Sequence, residues 1–147
     1  LEYQGDKFFK ITGTGYDIED MLEKPEYFKY EKGRVLEIKH MTPNSYLIES
    51  SKVHKGNISR EMAMLNGKLI EKYALEMQKG SIFPIAILDY DRNGQEGRHR
   101  VMAVKWLIDN GKLGNTLVPV AVIKGYKPTT GEFEEYWARK WGKKSGQ

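Results

Sequence analysis

Six consecutive residues, Gln95-Glu96-Gly97-Arg98-His99-Arg100, bring together an acid, a glycine and three basic side chains. They stand where Val101, Val104, Leu107 and Ile108 take up helical spacing, so the cluster opens a helix predicted over 97–110, with Gly111 as its stop. The first amides of a helix lack internal partners, and the macrodipole makes that end positive. Acids belong there. Each cation placed there instead costs about 0.3–1 kcal/mol at an exposed site.

Two readings follow. In the first, an anion sits among the cations and reverses the sign of the term. Phosphate is the natural guest, held by free amides and an arginine fork. Gly97 and the amides after it then cradle the phosphate, Arg98 and Arg100 neutralise charge, and His99 donates to a phosphate oxygen. Glu96, Arg98 and His99 become the candidate catalytic residues, with Glu96 as base or metal ligand. Asp89, Asp91 and Glu96 are the candidates for Mg²⁺ beside the phosphates, because Mg²⁺ is usually held by one or two carboxylates plus phosphate oxygens. In the second reading the arginines pair with Glu96, Asp89 or Asp91, and His99 simply packs.

Other constellations carry less. Asp89-Tyr90-Asp91-Arg92-Asn93-Gly94 opens like a calcium loop, but Arg100 stands where the twelfth-position Glu is required, so the segment reads as a tight Asn-Gly turn. His40, His54 and His99 lack zinc-ligand spacing. Lys52-Val53-His54-Lys55-Gly56-Asn57-Ile58-Ser59-Arg60 is a basic stretch that either folds over a nucleotide or is a solvated loop. Trp137, Trp141, Arg139, Lys140, Lys143 and Lys144 mix aromatics with cations. They read as a capping amphipathic helix or as a contact to nucleic acid.

The elements that must position these groups are legible from period and punctuation. Short strands are expected at Phe8–Ile11 and Arg34–His40, and a helix from Asp17 interrupted at Pro25. Glu26–Gly33 has no clear period. Thr42-Pro43 starts a short helix carrying Tyr46 and Leu47. Glu49–Arg60 reads as a polar loop, and Met62, Leu65, Leu69, Tyr73 and Met77 as one face of a long helix closed by Lys79-Gly80. Buried strands are expected over Ile82–Leu88 and Leu117–Ile123, a last helix over Glu132–Trp141, and fraying over Lys143–Gln147. The sum is a small single α/β (α+β) domain: a mixed sheet with flanking helices.

Composition limits the chemistry. The 147 residues bury a core without staples, and the absence of Cys excludes disulfides, thiolate zinc and a cysteine nucleophile. A net charge of +4 is too small to decide for or against nucleic acid. No stretch approaches the roughly 18 apolar residues of a membrane span, and Leu1-Glu2-Tyr3-Gln4 lacks a basic-then-apolar leader pattern, so a cytoplasmic protein is the expectation.

Phe83-Pro84-Ile85-Ala86-Ile87-Leu88, a turn, Glu96-Gly97-Arg98-His99-Arg100-Val101-Met102-Ala103 and then Val118-Pro119-Val120 together resemble the ParB/sulfiredoxin superfamily. The Glu-Gly-Arg-His-Arg form is most similar to ParB-like domains of phage and mobile-element proteins. The resemblance implies a core over 38–126, an N-terminal extension over 1–37 and a C-terminal helix and tail over 127–147. It also implies a bound nucleoside triphosphate, ATP or CTP, whose phosphates meet Gly97, Arg98, His99 and Arg100. NTP hydrolysis or phosphoryl transfer is the implied activity. A metal-dependent nuclease and a non-catalytic DNA- or protein-binding module are the alternatives. Sulfiredoxins carry their catalytic Cys where Arg98 stands, which excludes sulfinic-acid reduction, and about 24 residues after Ile123 are too few for the helix-turn-helix module that follows this domain in partition proteins.

Overall fold

The structure, a computed structural model, describes residues 4–127, 129 and 131–142. The expected fraying at Lys143–Gln147 lies outside these residues. In chain order the elements are a 3-10 turn (Gln4–Phe8), β1 (Phe9–Lys10), α1 (Ile18–Glu23), α2 (Pro25–Glu31), β2 (Arg34–Met41), α3 (Pro43–Val53) and α4 (Ile58–Ala63). They continue with α5 (Gly67–Gln78), β3 (Phe83–Pro84), β4 (Ala86–Asp89), β5 (Gly94–Glu96), α6 (Arg98–Asp109), β6 (Val118–Gly125) and α7 (Glu132–Trp141).

The main sheet has the order β2-β6-β4-β5. β6 runs antiparallel to β2 and parallel to β4, and β4 forms an antiparallel hairpin with β5. The sheet is mixed because the β4–β5 turn is tight while α6 supplies the crossover needed before β6 can run parallel to β4. Residues 34–37 belong to β2, so the sheet already begins within the N-terminal extension.

Successive side chains on a strand point to opposite faces. Ala86, Leu88, Val118, Val120 and Val122 pack with Tyr46, Leu47, Ala74, Val101, Val104 and Leu107 of α3, α5 and α6. Ile85, Ile87, Ala121 and Ile123 pack with Ile18, Met21 and Phe28 of α1 and α2. Helices therefore cover both faces, and every residue of β4 is buried. No helix among the described residues is long and apolar enough to cross a membrane.

Four local expectations are corrected. The polar loop over Glu49–Arg60 is largely helical: α3 runs on to Val53, burying Ser50, Ser51 and Val53, and Asn57 caps α4 by accepting from the Arg60 amide. Serines on the buried face hid the period. The long helix begins later, because Asn66 starts a new cap, accepting from the Leu69 amide, and divides α4 from α5. The apolar run Ile82–Leu88 is two strands in different sheets; β3 pairs in parallel with β1, and Ile85 N–H bonds the Lys10 carbonyl at 2.7 Å. Pro25 starts α2 at its first turn, where its missing N–H costs nothing.

Candidate functional site

Gly97 sits at the N-cap of α6 with φ 115°, in the left-handed region. A Cβ there would lie 2.9 Å from both Cα and Cβ of Ala86, so glycine lets the start of α6 press against β4. Beneath it the buried Tyr46 hydroxyl lies 3.1 Å from the Glu96 carbonyl and 3.2 Å from both the Ile87 carbonyl and Gln95 Oε1. Burial pushes the Tyr46 hydroxyl far above its ordinary pKa, so it stays protonated and donates. The strand leading into α6 is thereby pinned to the core.

Both arginines of the motif pair with carboxylates, Arg100 with the expected Glu96 and Arg98 with Glu61, an acid outside the expected set. Arg100 donates from Nη1 to Glu96 Oε1 at 2.6 Å, from Nε to the Pro84 carbonyl at 2.8 Å and from Nη2 to the Ile85 carbonyl at 3.0 Å. This guanidinium clamps the β3–β4 junction. Each of its three nitrogens already donates one bond within the protein, which gives Arg100 a positioning role at this junction. Arg98 Nη1 meets Glu61 Oε2 at 2.9 Å, and Arg98 is largely buried.

Glu61 is the partner that sequence reasoning missed. Its buried carboxylate also accepts from Ser50 Oγ at 3.1 Å and pairs with His54 Nδ1 at 3.0 Å. The basic stretch around His54 therefore does turn back over the start of α6, through an acid on α4. Burial raises the Glu61 pKa, but the hydrogen bonds from His54, Arg98 and Ser50 outweigh it, and the carboxyl is held below its ordinary value. A signal was present in the lone acid after the basic run, but nothing in the sequence says which cation it meets.

A depressed pKa stabilises the fold above the unfolded-state value and loses that contribution as pH falls through the folded value. The chain is therefore expected to lose stability below about pH 4.5. Urea midpoints between pH 7 and pH 3 check this; Glu61→Gln should flatten that part of the profile.

His99 differs from its neighbours. Its Nε2 accepts the Asn66 N–H at 3.0 Å, which leaves the proton on Nδ1. Burial, then the nearby Arg98 charge, lowers its pKa, so the ring is neutral at pH 7. Its Nδ1–H has no partner among the described residues. Asn66 is the N-cap of α5, so the positive ends of α5 and α6 meet at this ring. Neither helix has an acid in its first turn, and the first turn of α5 adds the exposed Lys68.

The acids expected to hold Mg²⁺ are occupied elsewhere. Asp89 is fully buried; its Oδ2 lies 2.6 Å from Arg34 Nη2, and its Oδ1 accepts from the Asp91 and Arg92 amides at 3.1 and 3.2 Å. Asp91 Oδ2 is 3.8 Å from Arg34 Nε. Among the described residues, no three His, Cys, Asp or Glu side chains gather in a way that could hold a metal ion. The structure places Asp89 in an ion pair with Arg34 and Glu96 in one with Arg100, and the sequence alone does not reveal the first of these pairings. Compared with known proteins, the chain matches no family model, no curated protein and no solved structure.

Proposed function

We propose that the domain binds a phosphate-bearing ligand, a nucleoside triphosphate by its resemblance to ParB/sulfiredoxin domains, where the N-terminus of α5 meets that of α6. The observation that carries this reading is the Asn66–His99 hydrogen bond, which brings two positive helix ends to one point with no first-turn acid on either. The unbonded first-turn amides of α6, the Nδ1–H of His99 and the Arg98 guanidinium are the donors. Arg98 takes part by exchanging its bond to Glu61 for one to phosphate. Glu96 keeps its bond to Arg100 and is nonetheless well exposed, at 40%, so it remains the candidate base for hydrolysis or phosphoryl transfer. Mg²⁺, if it participates, arrives held mainly by the phosphates.

Calorimetric titration with ATP, CTP and GTP, with and without Mg²⁺, tests the reading. Binding of at least one triphosphate is expected. His99→Ala and Arg98→Ala should each weaken it by about ten-fold, the worth of one charge-assisted or buried hydrogen bond. Glu61→Gln should tighten it by removing the internal competitor for Arg98. Heat silence with all three nucleotides, confirmed by an unshifted melting temperature at millimolar ligand, overturns the proposal.

A further inference from the structure

The two arginine side chains at the start of α6 are each paired with a carboxylate, whereas the cations of a second basic surface are not. α7 lies beside α2 and the end of β6. Tyr136 stacks on Tyr30 with ring centroids 4.6 Å apart and planes 16° from parallel. Tyr30 meets Tyr126 edge-on at 5.7 Å. Along α7 the rings of Phe133, Trp137 and Trp141 follow at steps of four residues, 6.1 and 5.8 Å apart, and the last pair is stacked. Trp141 is 55% exposed.

Lysines are threaded through these rings. Lys29 Nζ lies 4.6 Å from the Tyr126 ring centre, Lys32 Nζ 4.5 Å from that of Phe28, and Lys140 Nζ 5.2 Å from that of Trp137. None of Lys29, Lys32, Arg139 and Lys140 makes an ion pair among the described residues. A ring face orients an ammonium without cancelling its charge. An open cleft of about 540 Å³ lies between the two helices, lined by Lys29, Tyr30, Tyr136, Arg139, Lys140 and one acid, Glu26. The acids of α7 are confined to its first turn, and Glu132 there is engaged by the Tyr126 hydroxyl. The basic half of the helix is the half that carries Trp137 and Trp141.

We infer that this face binds single-stranded nucleic acid. Unpaired cations beside ring faces suit a flexible phosphate backbone whose bases are free to stack, as on the open face of Trp141. A duplex keeps its bases stacked on each other and offers the rings nothing. The surface is separate from the α5–α6 junction and does not depend on nucleotide binding there.

The test is a fluorescence-anisotropy titration of the whole chain with labelled twenty-nucleotide oligo-dT at low salt. Binding is expected, with affinity falling steeply as salt rises. Trp141→Ala should weaken it about five-fold or more, the loss of one stacked base. Lys140→Glu should weaken it at least as much; circular dichroism confirms that both variants keep their helices. Arg98→Ala should leave oligo-dT affinity unchanged, and Lys140→Glu should leave triphosphate binding unchanged, so the two sites fail or survive separately. No binding at low salt, equal affinity for duplex DNA, or affinity unmoved by both face variants overturns the inference. So does loss of a dimer in Trp141→Ala by sedimentation, which would identify the face as a protein contact.

Discussion

Asp89→Ala is expected to cost about 3–5 kcal/mol of stability, the usual price of stranding one member of a buried ion pair. Arg34 is the member left behind, with Asp91 Oδ2 at 3.8 Å from its Nε as the remaining acid. Its side chain is 10% exposed, its Nη2 would lose a 2.6 Å bond, and its Nε has no hydrogen-bond partner among the described residues. The same substitution removes the acceptor that orders the Asp91 and Arg92 amides at the β4–β5 turn. Urea denaturation measures the loss. The double variant Arg34→Met with Asp89→Leu should recover much of it, because removing both charges abolishes the desolvation cost together with the attraction. A loss below about 1 kcal/mol would mean that water reaches the pair and that the site is open in solution.

Gly97→Ala is expected to cost about 2–4 kcal/mol, from a left-handed backbone that disfavours a Cβ and from overpacking against Ala86. The contact at 2.9 Å involves backbone Cα as well as the Ala86 side chain, so no flexible group can give way. The effect should appear in ligand-free protein by thermal or urea unfolding. Ala86→Gly in the same chain should relieve the part of the cost that comes from the Ala86 Cβ and leave the part that comes from φ and the Ala86 Cα. If Gly97→Ala unfolds like the parent and loses only triphosphate affinity, the glycine serves a ligand rather than the packing of α6 on β4.

The mixed α/β architecture was legible because its core strands are short apolar runs and α6 has a regular buried period. β6 begins one residue after the start that its apolar run predicts and continues to Gly125, and the Asn93-Gly94 turn has Asn93 at φ 51°, as the dipeptide suggests. What escaped was polar burial. Ser50 and Ser51 lie on the inner face of α3, and Glu61 is the buried residue of α4, so a reading built on apolar period dissolves both segments into loop. The candidate site shows the same limit. The helix start with its glycine and three basic residues is readable from residue types, and so is the Glu96–Arg100 pair four positions apart, but the other partners are 15 to 37 positions away: Ile85 and Pro84 for Arg100, Glu61 for Arg98, Asn66 for His99. Such pairings depend on how α4 and α5 return across the sheet, which local sequence does not encode.

Helix α4 is held to the domain differently from its neighbours. Five of its six residues face solvent, and the one that turns inward is charged. An element fastened by a carboxylate can detach without exposing much oil to water, and the same three bonds that hold it are bonds an incoming anion can compete for. Its free energy of local opening is set by electrostatics, so salt and acid should govern how often this short segment lifts from the body of the domain, while the strands beneath it answer to the global unfolding equilibrium.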